Sequence, residues 1–324
     1  MKFLLRYWRY LRRMRLVHYL HNLRHYGKLK KNAPLYREAG AAKSVVASIS
    51  HEDFEASQEG NIPWLDRHNA LAELAAHPAF GDFDGATQAQ LQKWVEQGYM
   101  VLEGFVDSDT VDTINAEVDN IIEKELLPFH YTNTRVMNCI KESEGVKQVA
   151  KDPRLRKLLD FAMGRKVKVF QTMNFLKGSK AKAHSDSIHM TTEPLGYLVA
   201  IWVALEDIHA DSGPVFYCPG SHKMDYLMSD GFETGNTSLA VGDFYYENYT
   251  EKVGEIIRDK SMKPEPFIAK KGDVLVWHAN LLHGGSEVRN EELTRKSLVV
   301  HYFCEGVICY HEITQRPAIV EDLE

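Results

Sequence analysis

From about Phe129 onward the hydrophobic pattern of this 324-residue chain changes its period, and that change limits the fold more than any other feature. Apolar residues that had recurred at helical spacing now gather in short runs: Val167–Phe175, Gly196–Leu205, Gly213–Cys218, Asp273–Trp277 and Ser297–Phe303. Gly, Pro, Asn and Asp punctuate the gaps. Many short strands with turn signals between them predict a sandwich or barrel. A jelly roll closed into a two-sheet barrel is expected, because its mouth can hold a ligand. The length allows a full core, in one large domain or two small ones.

Ahead of the strands the spacing predicts helices over Asp66–His77 and Thr87–Gln97, the second stopped by Gly98. Tyr99–Leu102 reads as a short strand. One of Asp107, Ser108 or Asp109 can then cap a helix whose apolar positions are Val111, Ile114, Val118, Ile121 and Ile122. The expected organisation is a basic amphipathic segment and connector over 1–45 and a single catalytic domain over 46–324. That domain is helical to about 130, with the β core over 131–324.

Charge is distributed unevenly. Residues 1–37 hold eleven Lys/Arg and no Asp/Glu, so the rest carries 28 basic against 45 acidic side chains, a balance of -17. An acidic body argues against a nucleic-acid partner, since phosphate binding needs a basic stripe on the fold itself. In the head, Leu4, Tyr7, Trp8, Leu11 and Met14 recur at spacings of three and four, with Lys2, Arg6, Arg9 and Arg13 on another face. Three readings stay open for residues 1–31: peripheral contact with an anionic membrane surface, packing on the acidic body, or an Arg-rich targeting segment. Residues 33–61 read as a mobile connector with some helix. Cys139, Cys218, Cys304 and Cys309 show no Cys-x-x-Cys spacing, which suits a reduced, cytoplasmic compartment. No run of 18 apolar residues suggests a spanning helix.

The chemistry is concentrated in two segments. In His184-Ser185-Asp186 a strand would place imidazole and carboxylate on one face, because side chains alternate with period 2. Far downstream a β-run leads into His283 beside Gly284 and Gly285, glycines that would let backbone approach a metal or ligand. Two His and one carboxylate on one side of an octahedron leave three positions open, as in non-haem Fe(II) oxygenases. His278 competes for the third position; the spacing to the basic residue downstream favours His283. His189 and His301 lie nearby in sequence, with supporting or core roles expected, and His222 reads as a structural loop residue. Arg295 opens the strand over 298–302, and alternation sets it on one face with Ser297. There its guanidinium fork could hold the far carboxylate of a 2-oxo acid.

Over about Thr87–Tyr310 the sequence resembles the phytanoyl-CoA dioxygenase family of Fe(II)- and 2-oxoglutarate-dependent oxygenases, which includes ectoine hydroxylase. The resemblance is carried by Glu96-Gln97-Gly98-Tyr99, His184-Ser185-Asp186, Trp202–Asp207 with Ser212-Gly213-Pro214, Pro219-Gly220-Ser221-His222-Lys223, the His283 segment and Arg295-Lys296-Ser297. It implies a mainly β fold with flanking helices around a double-stranded β-helix (jelly roll, cupin-like) core. It also implies Fe(II) on His184, Asp186 and His283, with 2-oxoglutarate held by Arg295 assisted by Ser297 and O2 as the other cosubstrate. Gln171 resembles the family's polar contact to the 2-oxoglutarate region, and Trp202 its aromatic wall. The basic head has no counterpart, and no acyl-CoA or ectoine pocket is recognisable.

The activity so implied is hydroxylation of an unactivated C–H bond of a small-molecule, lipid or glycan-precursor substrate, releasing succinate and CO2. Two rivals remain: a cupin-like metal enzyme that does not use 2-oxoglutarate, and a catalytically silent membrane-associated binding protein of the same fold.

Overall fold

The alternating run at Ser297–Cys304 becomes the strand on which the fold is assembled. The computed structural model describes residues 10–54, 61–127, 134–321 and 323. Among them are β1 (Tyr99–Leu102), β2 (Arg135–Met137), β3 (Val167–Phe175), β4 (Thr191–Glu193), β5 (Leu198–Ala204) and β6 (Val215–Tyr217). Then come β7 (Glu265–Pro266), β8 (Val274–His278), β9 (His283–Gly285), β10 (Ser297–Cys304), β11 (Ile308–His311) and β12 (Arg316–Pro317). A six-stranded sheet runs β1-β8-β5-β10-β3-β2, faced by two three-stranded sheets, β12-β11-β4 and β7-β6-β9. All pairings are antiparallel. This is the expected jelly roll. Helical residues outnumber strand residues, yet the strands frame the site.

The large sheet is buried on both faces, which explains why β5 reads as an unbroken apolar run. Val199, Ile201 and Val203 pack against the flanking helices. Ala200, Trp202 and Ala204 point the other way, into the barrel, with Leu275, Trp277 and Val299. A register shift between His301 and Tyr302 in the β10–β3 pairing leaves Phe170 as the extra residue on β3.

Local chemistry sets the helix ends. Asp84 accepts the Thr87 N–H to start the helix Gly85–Gln97, and Asp107 does the same with Thr110 for Ser108–Glu123. Gly98 ends the first with φ +80°, and a Cβ there would lie 2.5 Å from the His222 ring. Only glycine satisfies both demands.

Three helices interrupt the region expected to be all strand: Glu144–Ala150, Pro153–Met163 and Tyr245–Asp259. The first two bury Val146, Val149, Leu155, Leu158 and Leu159 against the sheet. The stretch read as a mobile connector is also packed. Helix Ala33–Glu38 and the turns after it bury Tyr36, Val45, Val46 and Ile49 with Leu29, Ile308 and Tyr310.

Of the head, Lys2, Leu4, Arg6, Tyr7, Trp8 and Arg9 lie outside the described residues. The described part sits on the body. Met14 bridges Ala240, Arg15 N–H donates to Leu239 O at 2.9 Å, and Arg13 pairs with Asp243. The helix Arg15–Arg24 buries His18 and Asn22, and Asn22 Nδ2 donates to Val46 O at 2.9 Å.

Two histidines with depressed pKa values are expected to make this fold acid-sensitive. Burial pushes the pKa of His222 down to about 3 and that of His311 down to about 4. Both lie below the unfolded value of about 6.5, so the unfolded chain takes up protons first as pH falls. Their contribution is fully present above pH ~6.5 and is lost as pH falls toward 4 and then 3. Each histidine costs up to about 1.4 kcal/mol per pH unit in that window. Urea unfolding of the metal-free protein is expected to show a midpoint that drops between pH 7.5 and pH 5. A flat midpoint would mean that neither imidazole is buried in solution.

Candidate metal centre

Three ligands converge inside the barrel mouth. One ligand atom from each of His184, Asp186 and His283 falls within 4.8 Å of the others. The backbone differs from the expected strand: His184 makes an isolated bridge with His283, Ser185 is extended, and Asp186 opens a short 3-10 turn, Asp186–Ile188. Backbone hydrogen bonds run both ways between His184 and His283 at 2.9 Å. Ser185 is held by Tyr249, whose hydroxyl accepts the Ser185 N–H at 3.0 Å.

Hydrogen bonds at the far side of each ligand decide which atom is free. His184 Nδ1 meets Lys182 O at 2.8 Å and His283 Nδ1 meets Leu281 O at 2.9 Å. A carbonyl can only accept, so Nδ1 carries the proton in both and Nε2 keeps its lone pair for a metal. Asp186 is divided in the same way. Trp277 Nε1 donates to its Oδ2 at 2.7 Å, and His301 Nε2 lies 3.3 Å from that oxygen. Oδ1 is left facing His283 Nε2 at 3.6 Å. Gln171 Nε2, 3.3 Å from His301 Nδ1, donates there and fixes the tautomer that donates to Asp186.

Electrostatics agree with ligation. Burial would raise the Asp186 pKa, but His283, His301 and His184 outweigh it and hold the carboxyl well below the usual range. Burial, opposed by Asp186, brings the His283 pKa down to about 4. At neutral pH the set is a carboxylate with a neutral His283, the states a divalent metal needs.

A cavity of about 110 Å³ adjoins the triad, lined by Arg135, Trp202, Trp277, Arg295 and His301 among others. That is roughly the liquid volume of three or four waters, room for a small organic acid. Arg295 is only 2% exposed, and Nη1 donates to Ser297 Oγ at 2.8 Å. Its guanidinium lies 5.2 Å from the Phe175 ring and 5.7 Å from the Trp202 ring. Burial lowers its pKa to about 10. Arg295 Nε and Trp202 Nε1 are buried with no hydrogen-bond partner among the described residues. A buried cation with an orphaned donor, beside a small cavity, fits a carboxylate ligand.

The other candidates separate cleanly. Trp202 and Ser297 stand beside Arg295. Gln171, expected at the 2-oxoglutarate region, does not line this cavity; it acts through His301 and lines a different one. His278 turns to Asp66, with Nε2 at 3.0 Å from Oδ2, and is no ligand. His222 packs under Gly98 near His278. Gly284 lines the cavity beside the triad, and both glycines also admit close packing: a Cβ at 284 would lie 2.7 Å from Phe216, and one at 285 would lie 2.7 Å from Ser179 Oγ. Trp277 and Tyr249 were missed. Alternation along β8 with Leu275 marked Trp277 as inward-facing, whereas nothing local marked Tyr249.

A family model described as phytanoyl-CoA dioxygenase matches residues 94–297. The phytanoyl-CoA dioxygenase domain-containing protein 1 of Bos taurus is 21% identical over 273 residues, covering 66% of this chain and 88% of its own. The peroxisomal phytanoyl-CoA dioxygenase of Rattus norvegicus is 23% identical over 280 residues, covering 74% and 79%. Among solved structures, the non-haem α-ketoglutarate-dependent carbocyclase SnoK of nogalamycin biosynthesis superposes with a TM-score of 0.57 at 15% identity, covering 72% of this chain and 88% of its own. EctD from S. alaskensis with 2-oxoglutarate and 5-hydroxyectoine gives 0.53 at 20% identity, covering 68% and 78%. These structural likenesses establish the shared fold.

Proposed function

We propose, from the premise that this chain belongs to the phytanoyl-CoA dioxygenase family, that it is a non-haem Fe(II)- and 2-oxoglutarate-dependent dioxygenase. Its reaction on this reading is hydroxylation of an unactivated C–H bond. The observation that carries the reading is the joint orientation of His184 Nε2, Asp186 Oδ1 and His283 Nε2 beside the buried, partly unpartnered Arg295.

The triad would hold iron on one side and leave its other positions open. Arg295 and Ser297 would take the far carboxylate of 2-oxoglutarate, and Trp202 and Phe175 would keep water from it. Trp277 and His301 engage Asp186 Oδ2, so that Oδ1 would be the oxygen that holds a metal. Iron and 2-oxoglutarate, when bound, supply the oxidising power, with succinate and CO2 released. Purified protein given Fe(II), 2-oxoglutarate and O2 is expected to form succinate. Iron binding without succinate would favour a silent binding protein, and oxidation of a substrate without 2-oxoglutarate would favour a cupin-like enzyme.

A peripheral membrane role for the head is part of the proposal. No described helix is long and apolar enough to cross a membrane. The helix Arg15–Arg24 turns Leu16, Tyr19, Leu20 and Leu23 outward, with Leu16 61% exposed. Arg12, Arg24 and Lys28 are exposed around them. An apolar stripe with basic neighbours suits an anionic bilayer surface. Deleting residues 1–31 is a poor test, because it also removes Leu29 from the core. The double variant Leu20→Glu, Leu23→Glu is expected to lose co-sedimentation with phosphatidylserine vesicles at low salt while keeping its unfolding midpoint. Equal sedimentation of both proteins would remove the membrane role.

A further inference from the structure

The cavity beside the triad has a second guanidinium in its wall, that of Arg135, which lines it together with Arg295. The sheet sets its place. β2 is the edge strand beside β3. Arg135 on β2 pairs with Phe175 on β3, and Phe175 pairs on its other side with Ser297 on β10. Cross-strand partners point to the same face, so Arg135, Phe175 and Ser297 form one row inside the barrel. Neighbouring strands lie about 4.8 Å apart, which puts the Arg135 and Ser297 backbones roughly 10 Å apart with Phe175 between them. Both guanidiniums lie against that ring, Arg135 at 5.9 Å and Arg295 at 5.2 Å from its centre.

Apart from that ring contact, no ion pair or hydrogen bond engages the Arg135 side chain among the described residues. Its charged neighbours have the same sign. The loop after β3 carries Lys177, Lys180 and Lys182, and its Ser179 and Ala181 line the cavity. Glu291 occupies two of the lysines: Lys177 donates to its carbonyl at 2.6 Å, and Lys180 pairs with its carboxylate. Lys182 is exposed and has no side-chain partner among the described residues, while its carbonyl holds His184 Nδ1. On the opposite side stands Tyr246 of the helix Tyr245–Asp259; burial raises its pKa, and the charge of Arg135 opposes that rise. The cosubstrate leaves Arg135 unused. Of the two carboxylates of 2-oxoglutarate, one would go to the metal and the other to Arg295 and Ser297. A further cation at the same cavity is a site for a further anion.

We infer that Arg135, with Lys182 at the rim, anchors the substrate, and that the substrate is an acid whose carboxylate or phosphate meets Arg135 while the carbon to be oxidised reaches past Met173 to the triad. The inference rests on the dioxygenase reading and adds a substrate class to it. The row also sets a length. Arg135 lies level with Ser297, so the substrate's anion sits at the same height in the barrel as the far carboxylate of 2-oxoglutarate. The arm from anion to metal is then about as long as 2-oxoglutarate itself. That fits a short acid, or the short acidic head of a larger molecule, rather than a long chain threaded into the barrel.

The test is calorimetric titration of the full-length protein, loaded with Zn(II) in place of iron and saturated with 2-oxoglutarate so that Arg295 is occupied. The probes are pentanoate, butyl phosphate and the neutral pentanamide. At least one anion is expected to bind about tenfold or more tightly than the amide, as a charge-assisted contact should give. The tighter of the two identifies the anionic group. Arg135→Gln is expected to erase that preference, Arg135→Lys to keep part of it, and Lys182→Gln to reduce it. No binding of either anion, equal binding of anion and amide, or a preference that survives Arg135→Gln would each overturn the inference. Titrating Arg135→Gln with 2-oxoglutarate shows which carboxylate the guanidinium holds. A loss as large as that in Arg295→Ala would assign Arg135 to the cosubstrate and overturn the inference. If 2-oxoglutarate binds the unaltered protein and neither anion does, only the anchor assignment fails. If 2-oxoglutarate does not bind, and the anions titrated without it bind through Arg135, the dioxygenase reading fails and the anion site stands.

Discussion

Asp186→Ala is expected to reduce 2-oxoglutarate-dependent succinate formation to background and to abolish tight divalent-metal binding. The variant loses the only carboxylate of the triad, and two histidines alone hold a divalent ion weakly. It also leaves Trp277 Nε1 and His301 Nε2 without the oxygen they share, so the loss extends beyond one ligand. Asp186→Asn is the sharper probe, since it preserves shape while removing charge. Zn(II) titration should show its affinity falling strongly with the fold intact by circular dichroism. His184→Ala and His283→Ala should match the alanine variant at Asp186 in turnover. Normal succinate formation by any one of these variants would remove that residue from the ligand set.

Arg295→Ala is expected to weaken 2-oxoglutarate binding by about 2–5 kcal/mol, the usual range when one partner of a buried charged contact is truncated. That corresponds to roughly thirtyfold to several-thousandfold in affinity. Arg295→Lys should fall between, because an ammonium keeps the charge but cannot offer the planar fork. Metal affinity should hold in both, since Arg295 touches Ser297, Phe175 and Trp202 and none of the ligands. Unchanged 2-oxoglutarate affinity in the alanine variant would mean that another residue holds the carboxylate.

How much of this was legible in the sequence depended on whether the signal was local. β3 has the limits that alternation predicted, Val167–Phe175, and the helix ending at Gly98 stops at its glycine. The metal residues and Arg295 were readable because their order and spacing carry information without a fold. The helix Pro153–Met163 was overlooked although its signals were present: Asp152 as cap, Pro153 at the first position and Gly164 at φ +64°. The strand run that follows it, Val167–Phe175, and the change of period at about Phe129 drew the reading toward strand. The helix Tyr245–Asp259 had weaker signals, since Phe244 offers no capping side chain. Its Tyr249 reaches Ser185 across 64 residues, a contact that no pattern along the chain encodes. The same holds for the indole of Trp277 on Asp186. Period 2 shows that Trp277 faces the barrel, but not which inward residue it meets.

The paired backbone of His184 and His283 has a consequence for how the ion would arrive. Two of the three donors are set apart by a β-bridge, with N–H and C=O exchanged at 2.9 Å in both directions, so their separation does not depend on the ion. In a small zinc domain the metal recruits its ligands and folding follows; here the scaffold precedes the guest. Loading should therefore leave the amide exchange rates of His184 and His283 nearly as they were. The rearrangement on filling would be confined to side-chain torsions, and removing the ion with a chelator should be reversible without refolding.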